Sequence, residues 1–460
     1  MFFEDTIAAI ATPPGKGGIG IVRISGERAL EIGKKIFVFP EGKKTDFKNR
    51  YLHYGWAIDE DNILIDEVLF SYMQAPHSYT AEDVVEVHCH GGIIPLTKIL
   101  KTIISKGARL AQPGEFTKRA FINGRIDLVQ AEAVMDLINA ESDRLARISL
   151  SQIEGGLSVR IRDMRGRLLN LMARIEVTID YPEEDIDEMI TKDIKNEVDD
   201  IVKSIQHLLK TAKQGKLIRQ GVKAVIIGRT NVGKSSLLNA LTKEDRAIVT
   251  EIPGTTRDTI EDMINIRGIP VRIVDTAGIR ETIDKIEKIG IERSKENIIT
   301  ADLLITVLDA SEELTSEDLE VLTYIKDKKA IVILNKTDKP NLLTEKYVKE
   351  KLGFDVPVAH TSLTLGQGIE IVEDMIYNMF FEGDIRIGDD IMITNLRHQE
   401  ALMGAENSLM GVVDGLNKQM PPDIIAIDIR DALDSLGAIT GESVTDDLID
   451  KIFSEFCLGK

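Results

Sequence analysis

Apolar residues recur along this chain with two periods, and the change of period marks where the fold changes. Between residues 1 and about 122, short apolar runs at 7–11, 19–24 and 84–88 read as strands with Gly and Pro between them. Residues 95–104 carry a helical spacing, so this zone predicts a small α+β domain. From 127 to about 215 the period is helical: Ile161, Met164, Leu168, Leu171, Ile175 and Ile179 step by three or four along one face. Pro182 interrupts, and Ile194, Val198, Ile201, Ile205 and Leu208 resume the spacing. Between 221 and 379, strand patterns at 223–227, 271–274, 303–308 and 330–334 alternate with helical stretches, which predicts a parallel sheet covered on both faces. After 390 the helical period returns with Leu402, Ala405, Leu409, Val412 and Leu416.

The economical architecture inserts the α/β unit between two halves of one helical domain, whose apolar stripes bury each other. The expected fold class is therefore multidomain α/β plus α. An N-terminal α+β domain spans 1–122, a discontinuous helical domain 123–219 and 381–460, and an α/β domain with a mostly parallel sheet 220–380. The acidic run at 180–188, six acids in nine residues, reads as a solvated loop.

Composition narrows the classes. The 460 residues leave room for two to four domains, and 43% hydrophobic with 29% charged residues excludes long disorder. Apolar runs such as 303–308 are far short of a membrane span, and Met1-Phe2-Phe3-Glu4-Asp5 is acidic where a secretory leader would be basic. Cys89 and Cys457 alone exclude a disulfide scaffold or a Cys-rich zinc module and point to a reducing cytoplasm. A net charge of -19 means that the molecule as a whole does not trap nucleic acid electrostatically. Any RNA must meet a local basic patch or be held by a partner.

The chemistry starts at Gly228-Arg229-Thr230-Asn231-Val232-Gly233-Lys234-Ser235, a G-x-x-x-x-G-K-S loop between a strand and a helix. Its glycines turn the backbone so that N–H groups face phosphates, Lys234 reaches the β and γ phosphates, and Ser235 ligates Mg²⁺. Asp275-Thr276-Ala277-Gly278 ends a strand, where the Asp holds Mg²⁺ through water and the Gly278 N–H senses the γ-phosphate. Thr255-Thr256, between these motifs, offers a second Mg²⁺ hydroxyl. Asn335-Lys336-Thr337-Asp338 ends another strand, and its last carboxylate can accept two hydrogen bonds from guanine, which selects GTP over ATP. The glutamine that orients water in Ras-like proteins is replaced by Ile279, leaving Arg280, Glu281, Asp284 and Glu287 as nearby polar candidates.

The ordered motifs resemble GTPases of the Era and Der kind. Three further segments narrow the resemblance: residues 11–20 (ATPPGKGGIG), residues 113–121 (PGEFTKRAF) and the ending Phe456-Cys457-Leu458-Gly459-Lys460. Together they resemble the MnmE (TrmE) family of tRNA-modification GTPases over nearly the whole chain. The resemblance implies an N-terminal folate-binding and dimerisation domain, a discontinuous helical domain and an inserted Ras-like P-loop GTPase domain. It implies potassium-activated GTP hydrolysis coupled to modification of the wobble uridine (U34) of certain tRNAs at C5. The added group is aminomethyl or carboxymethylaminomethyl, with one carbon from a tetrahydrofolate (5-formyl or 5,10-methylene form). The implied assembly is a homodimer joined to an MnmG-like flavoprotein in a heterotetramer, with FAD only on that partner and no membrane.

Carried over by position, the nucleotide contacts comprise Asn231, Val232, Gly233, Lys234, Ser235 and Ser236, then Thr250, Glu251, Ile252, Pro253, Gly254, Thr255 and Thr256. They continue with Asp275, Thr276, Ala277 and Gly278, then Asn335, Lys336, Asp338, Ser362 and Leu363. Ser235 and Thr256 match the Mg²⁺ ligands; Asn231, Thr250, Ile252 and Thr255 match the potassium ligands. Glu287 matches the water-orienting glutamate and Cys457 the catalytic thiol of the tail. Arg23, Glu82, Arg125 and Lys460 match folate contacts. Thr230 replaces the loop's usual Pro, and Leu363 the usual Ala of the guanine-capping loop, where added bulk loosens nucleotide affinity.

Other patterns in the chain carry weaker signals. Residues 15–20 also spell G-x-G-x-x-G, but a strand follows where a dinucleotide fold needs a helix. His88-Cys89-His90 has no second ligand pair at metal spacing and reads as strand packing. Cys457-Leu458-Gly459-Lys460 lacks the aliphatic pattern of a prenylation box; it reads as a functional thiol or a folate-side contact, with a packed cysteine as the alternative. Arg160, Arg162, Arg165, Arg167 and Arg174 read as a solvated helix face ahead of a tRNA phosphate contact. The competing functional class is an Era-like GTP switch in ribosome assembly, which needs neither the folate-like N-terminus nor the Cys-bearing tail.

Overall fold

The computed structural model describes residues 5–13, 15–40, 46–180, 188–244, 261–275, 297–381 and 391–459. The N-terminal segment begins with β1 (Ile7–Ile10), β2 (Gly20–Ser25), α1 (Ala29–Lys35) and β3 (Phe37–Val38). A long hairpin follows, β4 (Leu52–Ile58) and β5 (Leu64–Met73), then β6 (Val84–Cys89), α2 (Ile93–Ser105) and β7 (Arg109–Leu110). These strands form one sheet in the order β3-β4-β5-β6-β2-β1-β7, antiparallel except where β1 meets β7. Its core joins Val22, Ile24, Phe70, Val85 and Val87 of the sheet to Ile32 of α1 and Ile99 and Ile103 of α2. α2 buries Leu96, Ile99, Thr102 and Ile103 at three- and four-residue steps, as its periodicity predicts.

Helices follow: α3 (Glu115–Ile122), α4 (Leu128–Ile138), α5 (Asp143–Ile153), α6 (Gly156–Asp180) and α7 (Glu188–Gln220). The second sheet is built from β8 (Val222–Ile227), α8 (Lys234–Glu244), β9 (Glu261–Ile266), β10 (Ile269–Asp275), β11 (Leu303–Asp309) and α9 (Ser316–Thr323). It is completed by β12 (Ala330–Asn335), α10 (Glu345–Leu352), β13 (Val358–His360) and α11 (Ile369–Phe380). The chain ends in α12 (Leu396–Asn417), α13 (Pro422–Thr440) and α14 (Asp446–Ser454).

Two compact units result. The first holds residues 1–135, 152–191 and 411–460, and the second 136–151 and 192–410. In the first, the α6 stripe of Ile161, Met164, Leu168, Leu171 and Ile175 is buried, as is the α13 stripe of Ile425, Ile429, Leu433 and Leu436. These two helices, more than 240 residues apart in sequence, lie side by side, as the split-domain reading expects. In the second, the sheet order is β13-β12-β11-β8-β10-β9; the pairs are parallel except β10 with β9. All seven residues of β11 and all six of β12 are buried, which explains their continuous apolar runs: both faces are covered. In this unit the stripe on α7 (Ile194, Val198, Ile201, Ile205, Leu208) is buried, and Gln206 Nε2 donates to Glu406 Oε1 of α12 at 2.8 Å.

Candidate functional site

Parallel strands deliver their C-terminal ends to one edge of a sheet, and ligands of such sheets collect there. In the second unit that edge carries Gly228 after β8, Asp275 at the end of β10, Asp309 at the end of β11 and Asn335 at the end of β12. Register pairs Asp275 with Ile226 and Asp309 with Asn335; Ile226 is level with Ile305, so the second pair lies four residues further along the strands.

The loop after β8 turns through three residues with positive φ: Gly228 (+150°), Asn231 (+61°) and Gly233 (+111°). A Cβ on Gly228 would sit 2.5 Å from Val307 O, and one on Gly233 would sit 2.3 Å from Asn335 Nδ2. Both positions therefore require glycine, while Asn is the non-glycine residue that best tolerates the left-handed region at 231. The chain then enters α8 at Lys234, so loop N–H groups and the helix N-terminus converge on one point. Lys234 Nζ donates to the Gly228 and Arg229 carbonyls, each at 2.7 Å, and spans the loop. Ser235 and Ser236 are exposed in the first turn of α8, and Val232 is buried.

Asn335 joins this loop to the candidate guanine-binding segments. Its Nδ2 donates to Val232 O at 2.8 Å, while its Oδ1 accepts from Thr361 Oγ1 and from Leu363 N, both at 3.2 Å. Ser362 Oγ donates to Asp338 Oδ1 at 2.6 Å, and Ser362 N donates to Gln367 O at 3.1 Å. The amides of Ser362 and Leu363, the candidates for guanine O6, are thus both engaged within the protein. The Ser362 hydroxyl, followed by the backbone bond at Asp338, holds the Asp338 carboxyl below the usual carboxylate range. Asp338 is therefore an exposed, ionised acceptor, the form that guanine recognition needs.

Two partners at this edge were not singled out from sequence. Buried Asp309 accepts from Lys336 Nζ at 2.6 Å and from Ser311 Oγ at 2.7 Å. Burial raises its carboxyl, but the bonds from Lys336 and Ser311 outweigh this and hold it below the usual range. Arg229 pairs with Glu312 and, through Nε at 3.3 Å, with Asp318, so this loop cation is tied to acids at the start of α9 and just before it. The available signal for Asp309 was an acid ending an apolar run; nothing local announced the partners of Arg229. Thr250, Glu251, Ile252, Pro253, Gly254, Thr255, Thr256, Thr276, Ala277, Gly278, Arg280, Glu281, Asp284 and Glu287 lie outside the described residues.

The first unit gathers most of the other candidates. Arg23 Nε donates to Glu86 Oε1 at 2.8 Å, and Arg23 Nη1 reaches Gly459 O at 3.5 Å. Glu82 accepts from Ser25 Oγ at 2.7 Å and from fully buried Arg119 at 3.2 Å. Arg125 Nη1 donates to Tyr79 O at 2.8 Å and lies 5.0 Å from the Tyr79 ring, over which Arg23 also sits at 5.6 Å. The tail is anchored by buried Phe453 and Phe456 against Leu128 and Ala131, and Cys457 O accepts from Gly114 N at 3.3 Å. Cys457 itself is exposed. Lys460 lies outside the described residues. His88 contacts Glu86 at 3.3 Å and His90 pairs with Asp66 at 2.7 Å, while burial pushes the Cys89 thiol up to about 11. β2 begins at Gly20, the last glycine of 15–20, where a dinucleotide loop would need a helix.

Residues 128–457 match the MnmE helical domain, and residues 6–125 match the N-terminus of the GTP-binding protein TrmE. The chain is 52% identical to the tRNA modification GTPase MnmE of Alkaliphilus metalliredigens, with 100% of both chains covered. This chain belongs to the MnmE family of tRNA modification GTPases. Identity to the MnmE of Clostridioides difficile is 50%, covering 100% of both chains; with the MnmE of Ligilactobacillus salivarius it is 51%, covering 99% of this chain and 98% of the other. As an MnmE-family enzyme the protein binds and hydrolyses GTP and acts in tRNA modification. Among the described residues, no helix is long and apolar enough to cross a membrane.

The Asp338 geometry makes a testable statement about the base. Asp338→Asn replaces an acceptor by a donor where guanine presents its N1–H and exocyclic amine, whereas xanthine presents O2. We expect the preference to move from GTP towards xanthosine triphosphate by at least about tenfold, because an unpaired polar group at a recognition edge is heavily penalised. Competitive titration with both nucleotides measures it, and an unchanged ratio of affinities would remove Asp338 from the guanine edge.

Proposed function

We propose that K⁺ stimulates GTP hydrolysis by this MnmE-family chain. With a flavoprotein of the MnmG kind that carries FAD, hydrolysis then drives addition of an aminomethyl or carboxymethylaminomethyl group to C5 of the wobble uridine (U34) of certain tRNAs. A tetrahydrofolate derivative, in 5-formyl or 5,10-methylene form, supplies the carbon unit. The observation that carries the reading is the tail: backbone contacts of Gly459 with Arg23 and of Cys457 with Gly114 bring an exposed thiol to the elements bearing Arg23, Glu82 and Arg125. Those three residues offer two cations for a glutamate carboxylate and one anion for pterin N–H groups. In the same proposal residues 1–122 bind folate and dimerise, 123–219 and 381–460 form the helical domain, and 220–380 the GTPase domain. Two chains then join two flavoproteins in the cytoplasm.

The residues present suit the ions as well. The Ser235 hydroxyl is exposed at the start of α8, where Thr256 would complete a Mg²⁺ pair. Exposed Asn231 offers a side-chain oxygen from a left-handed turn beside the phosphates, with Thr250, Ile252 and Thr255 completing the K⁺ set. Bound there, a monovalent cation supplies the positive charge that an arginine finger supplies elsewhere. Arg229 is the arginine of this loop, and its pairing with Glu312 and Asp318 turns it to structural work. Glu287 orients the attacking water in this reading.

Asn231→Ala should abolish potassium stimulation while GTP binding stays largely intact, since the backbone donors of the loop remain. Hydrolysis is measured in KCl and in NaCl; equal rates for the unmutated protein would sink the potassium reading. Mass spectrometry of tRNA nucleosides from a deletion strain tests the chemistry, and unaltered wobble uridines would overturn it.

A further inference from the structure

A cavity of about 610 Å³ opens on the first unit between β5 and the turn that precedes β6. Arg50, His77 and Arg125 supply its polar rim, and Met73, Pro76 and Tyr79 part of its wall. Among the described residues no carboxylate lines it, in a chain whose net charge is -19. The two acids of the same turn are engaged elsewhere: Asp83 accepts from Ala75 N at 2.9 Å and from the Tyr72 hydroxyl at 3.0 Å, and Glu82 accepts from Ser25 and Arg119. Arg50 is held in place by Nη2 donating to His77 O at 2.7 Å, which uses one of its five guanidinium N–H groups. The depression is largely open to solvent, which suits an extended, charged ligand segment rather than an enclosed apolar one.

The cavity is not isolated from the candidate folate residues. Tyr79 is a wall of it, and the same ring lies under both Arg125 and Arg23. Arg125 lines the cavity and is also a candidate folate contact. A ligand gripped by Arg23 and Arg125 at a terminal carboxylate would therefore continue past Tyr79 towards Arg50 and His77. Folates are extended in one direction only, by γ-linked glutamates, each adding one carboxylate. The sign, the concavity and the shared aromatic wall fit that chain.

We propose that this cavity holds the oligoglutamate tail of the folate, with Arg50 and His77 meeting carboxylates beyond the first. The proposal rests on the folate reading above and names the polyglutamylated form as the ligand class. The probes are the mono- and pentaglutamate of 5-formyltetrahydrofolate, titrated calorimetrically against the full-length protein. We expect the pentaglutamate to bind at least about tenfold tighter at low salt, because charge-assisted pairs are strong and are screened by added salt. Arg50→Met should collapse that ratio while leaving monoglutamate affinity unchanged. His77→Glu keeps the backbone acceptor of Arg50 and should lower the ratio by repulsion alone, so it guards against a folding defect in the first variant. Equal affinities for the two probes, or a ratio that survives both substitutions, would overturn the proposal. Failure of the monoglutamate itself to bind would instead overturn the folate reading. Displacement of the pentaglutamate by tRNA with no response to the Arg50 substitution would place the tail elsewhere and also overturn the cavity assignment.

Discussion

Gly233→Ala is expected to abolish guanine-nucleotide binding at micromolar concentrations, with GTP and GDP losing affinity together by at least about a hundredfold, or roughly 3 kcal/mol. Three observations converge on it. Gly233 has φ +111°, where a residue with a Cβ is strained by about 1–3 kcal/mol. The added carbon would sit 2.3 Å from Asn335 Nδ2, far inside contact distance. That nitrogen cannot simply retreat, because it donates to Val232 O at 2.8 Å while Asn335 Oδ1 holds Thr361 and Leu363. Relief therefore has to open the loop or break the bond that joins it to the candidate base-binding segment, and either is expected to weaken phosphate and base contacts together. Gly166→Ala is the matched control: it lies inside α6, a Cβ there meets nothing within 4 Å, and the change should stabilise slightly. Titration with a fluorescent GDP analogue measures the effect. Ordinary GDP affinity in the Gly233 variant would show that the loop is not held by Asn335.

The same contact explains what was legible in the sequence. Phosphate loops and guanine-reading turns use backbone groups at fixed spacing, so a short string of residue types carries their meaning. Strands β8, β11 and β12 were readable because they are buried almost throughout and their apolar runs are nearly continuous. The hairpin β4–β5 was not. In β4 the buried positions are His53, Gly55 and Ala57, while Leu52 and Tyr54 face solvent, which inverts the expected alternation. Gly55 is small because a Cβ there would meet Phe37 at 2.4 Å, a neighbour on another strand. Gly215 misleads in the opposite direction. It reads as the end of a helix, yet α7 continues to Gln220, and the glycine is needed because Ile393 O would lie 2.1 Å from its Cβ. Such requirements come from residues distant in sequence, as do the partners of Asp309 and Arg229, so no local pattern encodes them.

Cys457→Ser is expected to leave GTP hydrolysis near the unmutated rate and to eliminate tRNA modification. The tail does not depend on the thiol for its position. Phe453 and Phe456 are buried against α4, the Cys457 carbonyl accepts from Gly114, and the Gly459 carbonyl lies 3.5 Å from Arg23 Nη1. Gly459 itself sits at φ +91° with its Cα so close to β1 that a Cβ would come within 2.3 Å of Ile10 O. Backbone and phenylalanines thus fix the segment, and Cys457 is exposed with a free thiol. A serine keeps nearly the same size and all of those backbone bonds, but a hydroxyl is not ionised near neutral pH and lacks the nucleophilicity of a thiolate. The phosphate loop and Asn335 belong to the other compact unit and share no residue with this site, so hydrolysis has no direct use for the sulfur. Release of phosphate from GTP and analysis of tRNA nucleosides, measured on one preparation, separate the two activities. Normal modification by the serine variant would reduce Cys457 to a surface residue of a well-anchored tail. Loss of GTP hydrolysis along with modification would show that the sulfur is needed by both, contrary to the separation of roles argued here.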